Sequence, residues 1–495
     1  MTPPTPFPVP GVSLTALDAW WDAHLAEFTA DLTTWIAHPS VSDDSQAAPG
    51  APYGPAVAAL FAHVTAQAQQ LGFTVEDHAG HAISIRLPGE TTDEIGLVSH
   101  LDVVPEGDGW TFPAYEATVR DGCVIGRGGS DNKGAALVDL YLLRFLKEQG
   151  VPLRHTLRVI YGGAEETSMD DIRHVVATSN PPAISLVTDG PFPVNHAQKG
   201  GLNLDLFIPT GPTLGGLVAG DAPNAVPDQA ELVLAGVAAG DVTLPASERG
   251  SAVVEPAEGG SRVAVQGAGG HAAFPESGTV NAVGVLAAAL AGAGVLTGPD
   301  QRAAETLAAL AGDPYGGNLG ADFADAVSGP LTQNVGVVRP VDGGLLVSVD
   351  VRYPVTDDPK RIERAFQAAV EPVGGRVVNA LDRPAYFLPE ADPRVALLLE
   401  TFREVTGLRE ARPVAMGGGT HARLLPGAIT YGPGLKWVRE QLEGTVGEAT
   451  WAWLTRRPEG IPEGHGNTHG PDEYVVLDHL KSAIKVYAAA IMRLD

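Results

Sequence analysis

Basic residues are scarce in this chain of 495 residues, which has 32 lysines and arginines against 59 aspartates and glutamates. The formal net charge is −27, and no basic stripe stands out along the sequence. Nucleic-acid backbones and anionic bilayers are bound through clustered lysine and arginine, so both would be repelled by such a chain. We therefore expect neither nucleic acid nor a membrane surface as a partner.

Cysteine and long apolar runs are also nearly absent. The single Cys123 cannot form an intramolecular disulfide, so the fold does not depend on an oxidising compartment, and we expect this thiol to be a buried apolar residue. The longest apolar run, AVGVLAAALAGAGVL at 282–296, is shorter than the ~18 residues that a membrane span requires. The leader MTPPTPFPVPGV has no basic or apolar segment typical of a secretion signal. These features predict a cytoplasmic protein.

The order of helical and strand patterns predicts two domains, as the length also does, because single cores stop growing near ~250 to 300 residues. Helical patterns alternate with apolar strands up to residue 200, which is typical of an α/β domain with a mostly parallel sheet. Half-buried alternating strands with a few helical patterns then follow, and helical patterns resume near Pro384. We predict a discontinuous catalytic domain of residues 1–200 and 384–495, interrupted by an α+β domain of residues 201–383.

Histidines and acidic residues follow several predicted strands or lie in glycine-rich loops. Zinc binds imidazole nitrogen and carboxylate oxygen, and a pair of metal ions needs about five protein ligands with one of them shared. Such residues are expected at the carboxyl ends of parallel strands. The candidate ligand positions in this chain are His100 after EIGLVS, Asp131 in GRGGSDNKG, the pair Glu165 and Glu166 after LRVIYGGA, Asp189 after ISLVT, and His469 in NTHGPDEY.

Each of these positions also has a purely structural interpretation. A single histidine after a strand is commonly a hydrogen-bonded core or surface residue, and an aspartate before glycine commonly forms a turn. Glu165 and Glu166 could begin a helix, where acidic side chains favour the dipole. The loop GRGGSDNKG could cradle a phosphate, although it lacks the GxxxxGK[ST] spacing. No single motif decides between these interpretations.

Nine segments taken together resemble, in the same order, a family of co-catalytic zinc metallopeptidases that includes peptidase V, carnosinases, carboxypeptidase G and succinyl-diaminopimelate desuccinylases. They are HLDVVPEGDGW, DGCVIGRGGSDNKG, GGAEET, TDGPFPVNHAQKG, NAVPDQA, GGHAAFPESGTVNA, VDVRYP, GGGTHAR and HGPDEY. The resemblance is strongest to the peptidase V type. It implies a zinc-peptidase catalytic domain with an inserted lid, and a monomer, with a homodimer as the alternative.

The resemblance implies two divalent metal ions, expected to be Zn²⁺, although cobalt or manganese would also fit these ligands. His100 and Asp189 would bind one ion, Glu166 and His469 would bind the other, and Asp131 would bridge the two. His465 lies close to His469 in the sequence. His469 is preferred because the spacing His-x-x-Asp-Glu follows the family pattern.

Two further residues would act beside the ligands. Asp102 would accept a hydrogen bond from the far nitrogen of His100, because side chains two apart on a strand share a face. Glu165 would be the general base that takes a proton from the attacking water and delivers it to the leaving amine. A covalent nucleophile is then not needed, which agrees with the lack of a GxSxG motif.

The inserted domain would contribute to substrate binding. His271 would donate a hydrogen bond to the oxyanion, a kind of contact that can supply ~3 kcal/mol to the transition state. Asn224 and Arg352 would bind polar ends of the substrate, with a salt bridge at a strand edge as the other interpretation of Arg352, and the backbone at Gly418 would complete the pocket. The aromatic segment 432–464 is longer than the resemblance predicts and could form a loop over the pocket or an edge helix.

The function that follows is metal-dependent hydrolysis of a small peptide, as in a dipeptidase. One alternative keeps the metals and cleaves an acyl amide, as an N-acyl-amino-acid amidohydrolase or a desuccinylase does. A second alternative is a non-catalytic binding protein on the same scaffold. The intact pair Glu165 and Glu166 argues against it, because a protein without catalysis needs no base beside a ligand.

Overall fold

The computed structural model describes residues 11–244, 250–272, 275 and 278–495. The chain forms two units. Unit 1 consists of Met1–His196, Leu388–Val414 and Thr420–Asp495, and unit 2 consists of Ala197–Phe387 and Ala415–Gly419. The short segment Ala415–Gly419, which sequence patterns group with the catalytic domain, therefore lies with unit 2.

The first part of the chain alternates helices with strands. The helices are α1 (Leu14–Ile36), α2 (Pro55–Gln70), α3 (Lys133–Glu148) and α4 (Asp170–Thr178). The strands are β1 (Thr74–Asp77), β2 (Ala82–Leu87), β3 (Glu94–His100), β4 (Thr118–Arg120), β5 (Cys123–Ile125), β6 (Thr156–Gly162), β7 (Ile184–Val187), β8 (Gly190–Pro191) and β9 (Asn195–Gln198).

The middle of the chain is richer in strands. These are β10 (Gly200–Pro209), β11 (Val218–Ala219), β12 (Ala225–Val226), β13 (Gln229–Ala235), β14 (Ser251–Ala257), β15 (Gly260–Gln266), β16 (Gly270–His271), β17 (Ala324–Asp325), β18 (Gly329–Pro330), β19 (Thr332–Val341), β20 (Gly344–Tyr353), β21 (Arg376–Arg383) and β22 (Tyr386–Phe387). The helices of this part are α5 (Ala282–Gly292), α6 (Gly298–Gly312) and α7 (Pro359–Val370).

The last part of the chain returns to a largely helical pattern. Its helices are α8 (Pro393–Thr406), α9 (Lys436–Leu442), α10 (Glu448–Leu454) and α11 (Leu477–Leu494), and its strands are β23 (Val414–Met416), β24 (Ala428–Thr430), β25 (Pro433–Gly434) and β26 (Tyr474–Val476). Helices α9 and α10 lie in the aromatic segment 432–464. They bury Val438, Leu442 and Leu454 in the core of unit 1.

The main sheet of unit 1 has its strands in the order β1, β2, β6, β3, β7, β24 and β9. The central pairs β6 with β3, β3 with β7, and β7 with β24 are parallel, whereas β1, β2 and β9 pair antiparallel with their neighbours. Strand β3, EIGLVSH, is buried at all but its first residue, as expected of a strand covered on both faces. The predicted α/β fold class is confirmed.

Helix α3 lies against the centre of this sheet. It packs on β3, β6, α1 and α11, and every residue from Lys133 to Leu143 is buried. A helix that is buried all round belongs to an interior and not to a surface. A polar side chain on α3 is therefore close to the strands that end at the candidate site.

Unit 2 is a two-layer α+β unit. Its sheet is antiparallel, in the order β14, β15, β13, β11, β19, β20, β10 and β21. Strand β13, QAELVLA, alternates exposed and buried residues, because α5 packs on β13 and β15 and leaves the other side chains to solvent. Helix α7 packs in the same manner on β10 and β21.

Candidate metal centre

The carboxyl ends of three adjacent parallel strands place four of the predicted residues together. His100 is the last residue of β3, Glu165 and Glu166 follow β6, and Asp189 follows β7. Strand β3 lies between β6 and β7, and His100 is in register with Gly162. Neighbouring parallel strands end at the same edge of a sheet, where ligands bind in α/β folds.

Asp131 lies between the two predicted histidine ligands and reaches each with a different oxygen. Its Oδ1 is 3.1 Å from His100 Nε2, and its Oδ2 is 3.2 Å from His469 Nε2. His100 Nε2 is also 3.7 Å from Asp189 Oδ1, and His469 Nε2 is 3.0 Å from Glu166 Oε1. The five predicted ligands therefore meet around one carboxylate, which is the arrangement that a shared ligand requires.

Two groups of side chains have donor atoms that all lie within 4.8 Å of one another. One is His100 with Asp131 and Glu166, and the other is His100 with Glu165 and Asp189. Imidazole nitrogen and carboxylate oxygen suit Zn²⁺, and also Mn²⁺ or Co²⁺. Because Glu165 belongs to the second group, distance alone does not distinguish its predicted role as a base from that of a ligand.

Negative charge is concentrated at this edge of the sheet. Burial, together with Asp131, raises the pKa of Glu166 to about 7, and burial together with Asp189 raises the pKa of Glu165 well above its usual value. Burial would lower the pKa of His469, but Asp131 and Glu166 raise it to about 11. Half-buried carboxylates that crowd in this way are stabilised by cations, so the chemistry of the side chains fits bound metal ions.

Asp102 is fully buried and connects His100 to the two glutamates. His100 Nδ1 lies 3.0 Å from the Asp102 carbonyl oxygen, its hydrogen-bond partner, and 3.3 Å from the carboxylate oxygen Oδ1 that was predicted to accept from it. The same carboxylate accepts hydrogen bonds from the backbone N–H groups of Glu165 and Glu166, each at 3.1 Å. Asp102 therefore orients the imidazole and also fixes the turn that carries the glutamates, a contact that the spacing did not predict.

The buried pair Arg127 and Glu473 holds the loops of two predicted ligands, and sequence reasoning missed it. Arg127 Nη1 donates to Glu473 Oε2 at 2.6 Å, and Arg127 Nη2 donates to the carbonyl oxygen of His469 at 3.2 Å. Glu473 Oε1 accepts from the backbone N–H groups of Ser130 and Asp131 at 2.9 and 3.0 Å. Arg127 lies in the motif GRGGSDNKG and Glu473 lies in HGPDEY, so these two motifs were the signal that could have identified the pair.

We expect Arg127→Met to destabilise the protein by about 3–5 kcal/mol, because the buried Glu473 carboxylate would lose its cation. The exposed pair Arg120 and Asp121 offers a control, since Arg120→Met should cost less than about 1 kcal/mol. Urea unfolding of both variants measures the difference. Equal midpoints for the two variants would contradict a stabilising role of the buried pair.

A second buried pair, Asp171 and His421, lies beneath the turn that carries the glutamates. His421 Nε2 is 3.1 Å from both Asp171 oxygens, and Asp171 Oδ2 accepts from Ala164 N–H at 3.0 Å. The pair packs against Gly162, where a Cβ atom would lie 2.1 Å from Asp171 Oδ2. The glycine before the glutamates is therefore required by close packing. His421 lies in the motif GGGTHAR but was not singled out from the sequence.

The two histidines of GHGNTHGPDEY have different surroundings. His465 Nδ1 is 2.7 Å from Asp472 Oδ2, and the other oxygen of Asp472 accepts from the N–H groups of Thr111 and Phe112. His469 is the one that faces Asp131 and Glu166. The structure therefore places His465 in a loop contact and His469 among the candidate ligands.

The residues predicted to bind substrate from the inserted domain all lie in unit 2. Asn224 is exposed, and its carbonyl oxygen accepts from Ala272 N–H beside the pairing of Ala225 with His271. The side chain of His271 lies outside the described part of the chain. Arg352 donates two hydrogen bonds of 2.8 Å to Asp350, and Gly418 lies in the segment Ala415–Gly419. Their roles in substrate binding stay predictions.

Cys123 is buried, as predicted, and burial raises the pKa of its thiol to about 11, so the thiol is protonated and a poor nucleophile at neutral pH. Within the described residues, we find no helix with both the length and the apolar character needed to cross a bilayer.

Comparison with known proteins gives consistent results. The sequence model of Peptidase family M20/M25/M40 matches residues 96–493. A Bacillus subtilis (strain 168) protein named "Putative dipeptidase YtjP" is 30% identical over 471 residues, covering 92% of this chain and 94% of the relative. A Staphylococcus aureus (strain USA300) protein named "Putative dipeptidase SAUSA300_1697" is 28% identical over 419 residues, covering 81% of this chain and 88% of the relative.

Among solved structures, the dipeptidase Dug1p from Saccharomyces cerevisiae matches with a TM-score of 0.57 at 13% identity, covering 97% of this chain and 98% of that one. Human carnosine dipeptidase 1 matches with a TM-score of 0.55 at 14% identity, covering 98% and 99%. At these identities the two structures support the fold alone.

Proposed function

Because the chain belongs to Peptidase family M20/M25/M40, we propose that it is a dipeptidase whose reaction depends on two Zn²⁺ ions. Family membership makes the chain a metal-dependent peptidase with a peptide substrate. The proposal further specifies that the peptide substrate is a dipeptide and that the metal ions are zinc. One observation carries the two-ion site: Asp131 lies between His100 and His469 and offers a separate oxygen to each. The relative that is named as a putative dipeptidase supports the dipeptide.

The proposed ligand assignment follows these distances. His100 and Asp189 would hold one ion, Glu166 and His469 would hold the other, and Asp131 would bridge them. When bound, two such ions lower the pKa of a water molecule and polarise the carbonyl of the scissile bond. Asp102 would keep Nε2 of His100 directed toward Asp131 and Asp189, because its carboxylate and carbonyl oxygens both lie at Nδ1.

Glu165 would move the proton. Its Oε1 is buried and makes no hydrogen bond to any residue that the structure describes, while Asp102 holds its backbone N–H. The carboxylate would accept a proton from the attacking water and, as a carboxylic acid, donate it to the leaving amine nitrogen. Burial raises the pKa of Glu165 well above its usual value, which favours the carboxylic acid form that donates to the leaving amine.

Unit 2 would act as a lid that recognises the substrate. We assign the oxyanion contact to His271, and contacts to polar ends of the substrate to Asn224, Arg352 and the backbone at Gly418. The pairing of Ala225 with His271 supports a joint role, because it brings the neighbouring Asn224 near His271. The ion pair of Arg352 with Asp350 would hold the guanidinium in one orientation. We further propose that the protein is a cytoplasmic monomer.

The substrate is tested by comparing kcat/KM for unmodified dipeptides with that for N-acetyl and N-succinyl amino acids of matching side chain. We expect the dipeptides to be the better substrates of the zinc-loaded protein. A preference for the acyl amino acids would instead assign the chain to the amidohydrolases. Inactivity toward all of them, with two ions bound, would favour a binding protein.

The metal is tested on protein purified without added metal and on protein reconstituted with Zn²⁺, Mn²⁺ or Co²⁺. We expect two metal ions per chain by elemental analysis and the highest activity with Zn²⁺. A single ion per chain at saturating metal would contradict the bridging role of Asp131.

A further inference from the structure

Three buried oxygens form a closed triangle beneath the candidate metal centre. Ser99 Oγ lies 2.8 Å from Asp139 Oδ2, Thr188 Oγ1 lies 2.7 Å from the same oxygen, and the two hydroxyl oxygens lie 2.6 Å apart. All three residues have no exposed surface. Each edge of the triangle is as short as a hydrogen bond between oxygens.

The triangle lies one residue before two of the predicted ligands. Ser99 precedes His100 on β3, and Thr188 precedes Asp189 at the end of β7. The ladder between these strands ends at the pair Val98 and Val187, and the next contact is the hydrogen bond from Thr188 N–H to the Val98 carbonyl oxygen at 2.9 Å. Asp139 reaches this point from helix α3 and joins the two strand ends.

Counting protons shows what the triangle requires. Three short oxygen–oxygen contacts need three protons, and the two hydroxyl groups provide only two. An ionised Asp139 would leave one edge with two oxygens in contact and no proton between them. A carboxylic acid completes the ring, because Asp139 Oδ2–H can donate to Ser99 Oγ, Ser99 Oγ–H to Thr188 Oγ1, and Thr188 Oγ1–H to Asp139 Oδ2.

The surroundings of Asp139 also favour its neutral form. Its other oxygen, Oδ1, is buried and has no hydrogen-bond partner among the described residues, and Asp139 takes part in no ion pair within the same part of the chain. A buried carboxylate without a cation is strongly disfavoured. Consistent with this, burial raises the pKa of Asp139 to about 7, although hydrogen bonds from Thr188 and Ser99 oppose the change.

We propose that Asp139 is a neutral carboxylic acid whose hydrogen-bonded ring with Ser99 and Thr188 positions His100 and Asp189 as ligands of the same metal ion. Asp139 is a positioning residue, since it acts on the ligands only through the two strand ends. The proposal rests on the ligand assignment given above. It predicts an unequal effect on the two ions, because Glu166 and His469 are attached to other elements.

The test compares two substitutions at position 139. Asp139→Leu has a similar shape but no hydrogen-bonding atom, whereas Asp139→Asn can donate two N–H groups to the two hydroxyl oxygens and so keep the triangle. Titration of the metal-free proteins with Zn²⁺ against a chromophoric chelator measures both affinities. We expect Asp139→Leu to weaken one of the two ions by about 10- to 100-fold, the effect of losing an outer partner of a ligand, and Asp139→Asn to restore the parent affinities.

Three further variants serve as a check with its matched partner and as a control. Thr188→Val removes one hydroxyl at constant shape and should weaken the same ion, whereas Thr188→Ser keeps the hydroxyl and should not. Ser185 lies on β7, which ends just before Thr188. Ser185→Ala removes a buried hydroxyl without a hydrogen-bond partner among the described residues, so it should leave both affinities unchanged. If Asp139→Leu does not fold, the comparison of Thr188→Val with Thr188→Ser tests the positioning role. Equal weakening of both ions, or of neither, overturns the positioning role.

Infrared spectroscopy tests the protonation state without metal or substrate. At neutral pH, the difference spectrum of the parent minus Asp139→Asn should contain the C=O stretching band of a protonated carboxyl group, which shifts in D₂O. Only carboxylate bands in that difference spectrum would overturn the neutral acid. This measurement uses metal-free protein, so it tests the ring even if the parent binds no metal. Failure of the parent to bind metal would refute the proposed metal site but would not refute the ring.

Discussion

Glu165→Gln is expected to lower kcat by about 10²- to 10⁴-fold, the usual contribution of a general base, with the fold and both metal ions retained. Glutamine has the same shape but cannot take a proton from water. The side chain of Glu165 makes few contacts that the substitution would disturb, because Oε1 has no partner among the described residues and Asp102 holds the backbone N–H. Steady-state kinetics on a dipeptide and elemental analysis of the same preparation measure both quantities.

The control for this variant is Glu116→Gln, which makes the same change at an exposed position of unit 1 and should leave kcat unchanged. Two results would contradict the assignment of Glu165. Activity at the parent rate would mean that another group accepts the proton. Loss of one metal ion would mean that Glu165 is a ligand, which its distance to His100 and Asp189 allows.

Residues at strand ends were predictable from the sequence because the strands themselves are distinctive. Strand β3 is an apolar run that stops at His100, and β6 is an apolar run followed by the two glutamates. Parallel strands that are buried on both faces leave little choice about where a polar side chain can lie. The meeting of His100 with Glu165 and Glu166 then follows from the order of the strands.

The partners that support these residues were not predictable, because they come from distant parts of the chain. Glu473 accepts from the N–H of Asp131 across 342 residues, and His421 meets Asp171 across 250 residues. A single sequence shows neither pairing, since an acidic or imidazole side chain in a loop has many possible partners. Asp139 was not identified for another reason. Helix α3 has an apolar pattern, and a single polar residue among leucines is ordinarily interpreted as facing solvent.

The segment 432–464 illustrates a different limit. Its tryptophans were compatible with a loop over the pocket or with an edge helix, and the structure shows two short helices, α9 and α10, whose apolar residues are buried in the core of unit 1. Helices of seven residues have too few turns for a clear period of 3.6, so tertiary packing determines them more than sequence pattern does. The residues of unit 2 that are predicted to bind substrate have a similar limit, because the fold fixes their backbone but does not identify the ligand.

Asp131→Asn is expected to weaken metal binding strongly, because among the residues that the structure describes Asp131 is the one with an oxygen within 3.2 Å of each candidate histidine ligand. An amide offers one oxygen, and its nitrogen does not bind a cation. One ion would lose a ligand, and the site would lose part of the negative charge that attracts both ions. We therefore expect affinity for at least one ion to fall by more than the about 10- to 100-fold caused by losing an outer partner, and dipeptide hydrolysis to fall with it.

Calorimetric titration of the metal-free variant with Zn²⁺ gives the number and affinity of the ions, and Asp93→Asn provides the control. Asp93 is exposed and lies just before β3, at the opposite end of that strand from His100, so its substitution removes the same charge without touching the centre. Charge acts weakly over such a distance in salt, because exposed charges are screened beyond ~10 Å. If Asp131→Asn bound two ions with the parent affinities, the carboxylate would not be a bridge, and the two ions would have to be held by separate ligand sets.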